Sequence, residues 1–249
     1  MGMSNSIRTK GMPADVIKVI AIASMFIDHV GAVFHASLPS DLYMILRMIG
    51  RMAFPLFAFL LIEGFFHTRD VKKYLLRLAI FAVISEIPFD FAFFHYVDGW
   101  MYWGHQNVFV TLTLGLGAVT LLELVRKKFT SMDFLPHLAQ MLLQVLIVFL
   151  TGTVADMLGG DYGHMGIYLI FVFYYFRDNK IAASLGVLLW LMVYDIYSQT
   201  IMQTYGMVAL IPILFYDGRK GNVPLPKWFF YGFYPAHILL LALVRSLFF

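Results

Sequence analysis

Read as a pattern of apolar and polar positions, the chain is a series of apolar runs separated by short charged or Gly/Pro-rich breaks. The runs fall at 15–35, 42–66, 73–95, 107–125, 137–155, 163–176, 181–197, 203–216 and 227–247. Most have the length of about 20 residues that a helix needs to cross a bilayer. The sixth and eighth are shorter, which fits tilted or re-entrant segments, or segments shielded from lipid by their neighbours. No repeat, low-complexity tract or soluble domain interrupts the series. The pattern predicts an all-α polytopic membrane protein of about nine transmembrane helices in a single domain over residues 1–249, and the polar groups inside the runs argue for a lined central cavity.

Composition agrees with the pattern. The chain is 61% hydrophobic and 13% charged, where soluble domains carry about 25% charged residues. It contains no cysteine, which removes disulfides and thiolate sites, catalytic or metal-binding, from consideration. The opening MGMSNSIRTKGMPAD is polar and lacks a small-residue cleavage site, so no cleaved signal peptide is expected. The net charge of +3 is small, and no nucleic-acid partner is expected; the placement of the charges says more than their sum. Arg8 and Lys10, Arg69, Lys72 and Lys73, Arg126 to Lys128, Arg177 and Lys180, and Arg219, Lys220 and Lys227 fall in alternate breaks. The intervening loops, near 36–41, 96–106, 156–162 and 198–203, hold no lysine or arginine. The positive-inside rule then predicts a cytoplasmic N-terminus and an outer C-terminus, with Arg245 the one basic residue there.

Ionisable residues inside apolar runs are costly, and therefore functional by default. The first run carries Lys18, Asp28 and His29. Eleven residues separate the lysine from the histidine, about three helical turns, so both share one face at depths about 16 Å apart. In the second run Arg47 and Arg51 share a face, and Pro55 predicts a kink; Glu63 lies nearer the basic surface, beside Lys72, Lys73 and Arg77. Glu86 and Asp90 bracket Pro88 in the third run and are the natural partners for the two arginines. On the outer side lie Trp100, Trp103, His105 and Asn107, then Asp156, Asp161, Tyr162, His164 and Asp195. His237 in the last run stands at nearly the depth of His29. His35, His95, His137 and Trp190 read as interfacial anchors, and the glycines at 159, 160 and 163 mark a turn.

Lys18-x10-His29 resembles the basic residue, ten residues, histidine motif in the first span of the transmembrane acyltransferases, the superfamily of the acyltransferase-three proteins and heparan-glucosaminide acetyltransferase. Nearly the whole chain is similar to the TraX family, named for a protein that acetylates the N-terminus of F pilin. The similarity is carried by Ile27-Asp28-His29-Val-Gly31, Gly50-Arg51-Met-Ala-Phe54-Pro55-Leu-Phe-Ala-Phe59, Glu63-Gly64, Ser85-Glu86-Ile-Pro88-Phe-Asp90, Gly104-His105-Gln-Asn107-Val-Phe109, Asp161-Tyr162-Gly163 and Tyr231 through Tyr234-Pro235-x-His237.

The resemblance implies a multi-pass enzyme of the bacterial cytoplasmic (inner) membrane that takes acetyl-CoA from the cytoplasm and acetylates an acceptor on the outer side. His29 maps onto the essential histidine and Lys18 onto the basic residue before it. Lys72, Lys73 and Arg77 resemble, loosely, a stretch associated with acyl-CoA binding. The chemistry also suits the residues themselves: neutral imidazole can serve as a general base or carry an acyl group. The catalytic set on this reading is His29, Asp28, Arg51, Glu86, Asp90 and His237, with Arg51, Tyr234 or His237 as oxyanion donors. Acetyl-CoA is expected against Lys18, Arg47, Lys72, Lys73, Arg77, Glu63 and Tyr234, and the acceptor against His105, Asn107, Asp161, Tyr162, His164 and Asp195. The alternative is a proton-coupled transporter that uses the same intramembrane network as a relay.

Overall fold

The computed structural model describes residues 11–94, 102–129, 134–224 and 226–248; Arg8, Lys10, His95 and Trp100 lie outside this set. The chain forms α1 (Ala14–Val33), α2 (Ser40–Gly50), α3 (Ala53–His67), α4 (Val71–Phe93), α5 (Val108–Lys128), α6 (Phe134–Met157), α7 (Gly163–Tyr175), α8 (Lys180–Ser198), a 3-10 segment (Gln203–Ala209) running into α9 (Leu210–Phe215), and α10 (Lys227–Phe248). Strand pairing among the described residues is limited to two isolated bridges, Met12 with Tyr216 and Gln106 with Gly160.

Each of the nine apolar runs coincides with a helical segment, but two differ from a simple span. The second run is two helices, α2 and α3, broken by a turn at Arg51 and Met52, three residues before the expected kink. Pro55 falls in the first turn of α3, where backbone N–H groups have no intrahelical acceptor, so the missing donor costs nothing and proline starts the helix rather than bending it. The eighth run begins in 3-10 geometry and has only six residues of α-helix.

Six helical stretches are long and apolar enough to cross a membrane: Ala14–Val33, Ser40–His67, Val108–Lys128, Leu135–Met157, Lys180–Ser198 and Trp228–Phe248. The 23-residue α4 is more charged, yet its exposed residues Leu76, Ile80, Val83, Ile84, Ile87 and Phe91 form an apolar stripe at helical spacing. Its buried face carries Ser85, Glu86 and Asp90. Apolar outside and polar inside reverses the pattern of a helix on a water-soluble protein, and suits a helix whose solvent is lipid.

α3 is the centre of the bundle, with ten of the eleven positions from Ala53 to Glu63, all but Phe57, withdrawn from the surface. Helices α1, α5, α7 and the 3-10 segment surround it, and α4 packs on α5 and α10. One end is tied together by backbone bonds from Met12 to Phe215 (2.7 Å) and from Asp15 to Lys220 (2.9 Å), by the Arg177–Glu63 ion pair (2.9 Å), and by Lys180 donating to the Tyr216 carbonyl. At the other end the Arg245 guanidinium donates to the carbonyls of Ala92 (2.5 Å) and Phe91 (3.0 Å), neutralising the free acceptors at the end of α4. The start of α1 and the close of α10 therefore lie at opposite ends. Trp190 is a core residue rather than an interfacial anchor: it is buried, and its indole N–H donates to the Met165 carbonyl at 2.7 Å.

Candidate active site

Polar groups this deep are kept only where they find partners, and the first set centres on Asp28. Arg47 donates to one carboxylate oxygen at 2.7 Å and Arg51 to the other at 2.5 Å. Two guanidiniums on one carboxylate leave a net positive charge. The arrangement requires α2 to lie close against α1, and Gly50 permits it, since a Cβ there would collide with the Asp28 side chain. The expected pairing of Arg47 and Arg51 with Glu86 and Asp90 is not formed. α2 packs on α1, not on α4, so the nearest buried carboxylate is that of Asp28.

Glu86 and Asp90 serve the start of α5 and the loop before it. Asn107 caps α5 by accepting from the Phe109 N–H at 3.0 Å, and its amide donates to Glu86 and, at 2.7 Å, to the Ala82 carbonyl. Asp90 accepts from the Tyr102 N–H at 2.8 Å. The second oxygen of each carboxylate is buried without a hydrogen-bond partner.

His29 and His237 face each other from α1 and α10. Their rings are parallel within 5°, with centroids 4.9 Å apart, and Nδ1 of His29 lies 2.7 Å from Nε2 of His237. Nδ1 of His237 lies 2.6 Å from the Phe233 carbonyl. A carbonyl only accepts, so His237 carries its hydrogen on Nδ1; its Nε2 then accepts, and His29 must donate from Nδ1. This chain of two bonds leaves Nε2 of a neutral His29 as a free lone pair. Phe93 and Tyr234 pack edge-on against the same ring at 5.5 and 5.7 Å.

His29 lines a cavity of about 280 Å³ with Asp28, Arg47, Arg51, Asp161, Tyr162 and Tyr234, and with the rings of Phe54, Phe57, Phe89 and Phe93. Two loops meet at its far end. Gly159, at φ +66°, turns the chain so that its carbonyl accepts from Gln106 at 2.7 Å, and this brings His105 to 3.4 Å from Asp161. The Asp161 carboxylate, helped by Glu86 and Asp90, holds the His105 imidazole above its ordinary range against the opposing effect of burial.

Toward the basic end lies a second cavity, of about 550 Å³, lined by Lys18, Asp15, Tyr74, Arg77, Lys220 and Tyr231 among others. Lys18 is bound to Asp15 at 2.9 Å. Arg77 has a buried Nε with no partner, and its guanidinium sits 5.7 and 6.0 Å from the rings of Tyr74 and Tyr231. Among the described residues neither Arg77 nor Lys220 forms an ion pair, and Asp15, the carboxylate on the same wall, is bound to Lys18.

The sequence-derived residues therefore divide. His29, His237, Asp28, Arg47, Arg51, Tyr234, His105, Asp161 and Tyr162 converge on or against the first cavity, and Lys18 and Arg77 on the second. Others are placed elsewhere. Lys73 pairs on the surface with Asp70 at 3.3 Å, and Lys72, like Lys73, lines neither cavity. Glu63 pairs with Arg177 rather than with the basic start of α4. His164 binds Asp156 at 2.7 Å, and Asp195 caps the 3-10 segment through the N–H groups of Gln203 and Thr204 at 2.8 and 2.9 Å. Sequence reasoning missed Lys220, taken as a topology signal alone, and Phe57, which stands unmarked inside the Gly50 to Phe59 string.

Comparison with known proteins places this geometry in a family. The chain is 31% identical over 242 residues to the probable fimbrial assembly protein FimC, serogroup H1, of Dichelobacter nodosus, an alignment covering 91% of this chain and 93% of that protein. No solved structure matches it. The TraX protein family matches residues 13–245, a span that holds every residue of both cavities, and the chain belongs to that family.

Proposed function

We propose that the chain is a membrane-embedded acetyltransferase that uses acetyl-CoA from the cytoplasm to acetylate an amine or hydroxyl on the outer side of the membrane. The observation that carries this reading is the unbonded Nε2 of His29, held in one tautomer by His237 and the Phe233 carbonyl and placed on a cavity. A fixed lone pair of this kind is what a general base needs, and such a base contributes about 10²–10⁴-fold. His29 takes the proton from the acceptor as its nitrogen or oxygen bonds to the acetyl carbon, and returns it to the departing sulfur. His237 steadies the imidazolium that forms between these steps by accepting its Nδ1–H. The net positive charge of Arg47 and Arg51 over Asp28 favours negative charge developing on the acetyl oxygen, and Tyr234, on the same cavity wall, is the second candidate donor. His237 is not an oxyanion donor, because both its nitrogens are engaged.

The residues of the basic-end cavity suit the donor. Arg77, Lys220 and Lys18 offer charge for phosphates, Tyr74 and Tyr231 offer ring faces, and the rise of about 16 Å from Lys18 to His29 is comparable with an extended pantetheine arm. Acetyl-CoA, when bound, supplies the activated acetyl group. The basic end is then cytoplasmic, each of the nine helical segments counts as a crossing or a shielded part-crossing, and the N-terminus is inside and the C-terminus outside. The family and the fimbrial assembly relative make a fimbrial subunit the first acceptor to try.

The test supplies acetyl-CoA to the purified protein in proteoliposomes, with and without a fimbrial subunit. Release of CoA together with an acetylated subunit by mass spectrometry, both lost in His29→Ala, is the expected result. Absence of CoA release under any acceptor overturns the proposal; labelled solute uptake without CoA release assigns the cavities to a transporter instead.

A further inference from the structure

The two cavities do not run together. Their linings share a single residue, Phe57 of α3. One face of α3 runs past both: Ala53 and Phe54 line the histidine cavity, Leu60, Leu61 and Gly64 line the basic-end cavity, and Phe57 stands between them, three residues after the first pair and three before the second. Neighbouring helices divide at the same level. On α5 Val108 faces the histidine cavity and Phe109 the other; on α10 Tyr234 faces the former and Tyr231 the latter. Phe109 is locked in place, edge-on to Tyr234 at 5.2 Å and over Tyr231 at 6.4 Å. Phe57 has no aromatic ring stacked on it among the described residues, and it is the one position from Ala53 to Glu63 that is not fully buried. The septum therefore combines a fixed ring with one whose rotation is not held by a neighbouring ring.

From this geometry we infer that Phe57 is the gate between the donor and acceptor cavities: its ring closes the passage at rest and swings aside to admit the thioester to His29. This rests on the acetyltransferase reading. A closed gate keeps water from the outer cavity away from the activated acetyl group and keeps the base from discharging it onto water. Phe57 is a positioning residue and takes no part in bond making. Its size is the property that matters. A larger ring blocks passage, and a smaller side chain joins the cavities.

The experiment has two readouts, one independent of activity. The chain has no cysteine, so Met25→Cys, on the wall of the histidine cavity, gives a single thiol. With an impermeant thiol reagent applied from the basic end, labelling is slow beside Phe57 and rises about tenfold or more in Phe57→Ala, a gate worth at least one decade of rate. In turnover assays Phe57→Ala raises acceptor-independent CoA release by a similar factor, while Phe57→Trp keeps CoA binding within about twofold and lowers transfer about tenfold. Phe57→Tyr, which keeps the ring, keeps labelling slow and controls for folding. Unchanged labelling in Phe57→Ala overturns the gate whatever the activity. A wild-type protein that neither binds nor turns over acetyl-CoA, yet shows the labelling difference, overturns the acetyltransferase reading and leaves Phe57 as a barrier between the cavities.

Discussion

The histidine pair sets what single substitutions should do. His29 holds the lone pair, and His237 decides which nitrogen of His29 has it. His29→Ala is expected to lower CoA release in the presence of acceptor by about 10²–10⁴-fold. His237→Ala leaves the base in place but frees its ring and tautomer, and should cost less, with KM for acetyl-CoA little changed. Because the two act as one unit, the double variant should be no slower than His29→Ala alone; additive losses would mean that His237 has a separate role. The Asp28 site is structural in a different sense. Asp28→Asn leaves two guanidiniums without their counter-charge, and Gly50→Ala drives a methyl into the same carboxylate. Asp28→Asn should destabilise by about 3–5 kcal/mol, with the lower end favoured because Arg47 is 22% exposed, and Gly50→Ala, as overpacking, by about 1–3 kcal/mol. Thermal unfolding in detergent measures this, and Gly50→Ser with wild-type stability would show that α1 and α2 are not held as close as described.

At the scale of elements the apolar runs were readable because lipid sets both their length and their polar ends, and no tertiary information is needed for either. The break between α2 and α3 was not readable: the run stays apolar through Met52, and the turn there exists because α3 is held at the bundle centre while α2 lies against α1. The partner of Arg51 was hidden for the same reason. Glu86, Asp90 and Asp28 are equally plausible carboxylates in one dimension, and only the adjacency of α1 to α2 chooses among them. α4 makes the clearest prediction about solvent. Val83 is 76% exposed, so on a water-soluble protein Val83→Lys would change stability by no more than about 0.5 kcal/mol. In a bilayer a lysine near mid-helix costs about 2.5–3.5 kcal/mol. Val83→Lys should therefore cut the amount of inserted protein in membranes sharply, while Val83→Leu should not, as measured by membrane fractionation. α5 tests its own start: Asn107→Ala removes the cap and strands Glu86, and is expected to cost about 2–4 kcal/mol by the same unfolding assay.

Over the whole molecule, the depth of His29 relative to Lys18 followed from helix geometry alone, whereas the division into two cavities did not. Phe57 looks like any other phenylalanine in an apolar string, and Lys220 like any other loop lysine, until α1, α3, α5 and α10 are assembled around them. The joining of loops 102–107 and 158–162 through His105 and Asp161, at the end of the histidine cavity away from Lys18, is likewise a property of the assembly. That clasp gives the molecule a pH dependence whose sign is determined. The imidazole of His105 lies outside the membrane-spanning helices and is held above its ordinary value of 6.5 by the Asp161 hydrogen bond, with Glu86 and Asp90 adding in the same direction. A raised value means that the charged form is favoured in the clasped state. The stabilisation is complete below about 6.5 and fades as pH rises through the higher folded value. His105 and Asp161 are each about a third exposed, so the effect is below about 1 kcal/mol, too small to unfold the bundle but enough to change how often the loops part. Labelling of Ala32→Cys, on the histidine-cavity wall, from the end that carries His105 should accelerate up to about fivefold as pH is raised from 6 to 9, after correction for reagent ionisation. His105→Gln should flatten that profile, and the Phe57→Ala background should leave it unaltered, because the clasp and the septum lie at opposite ends of the same cavity.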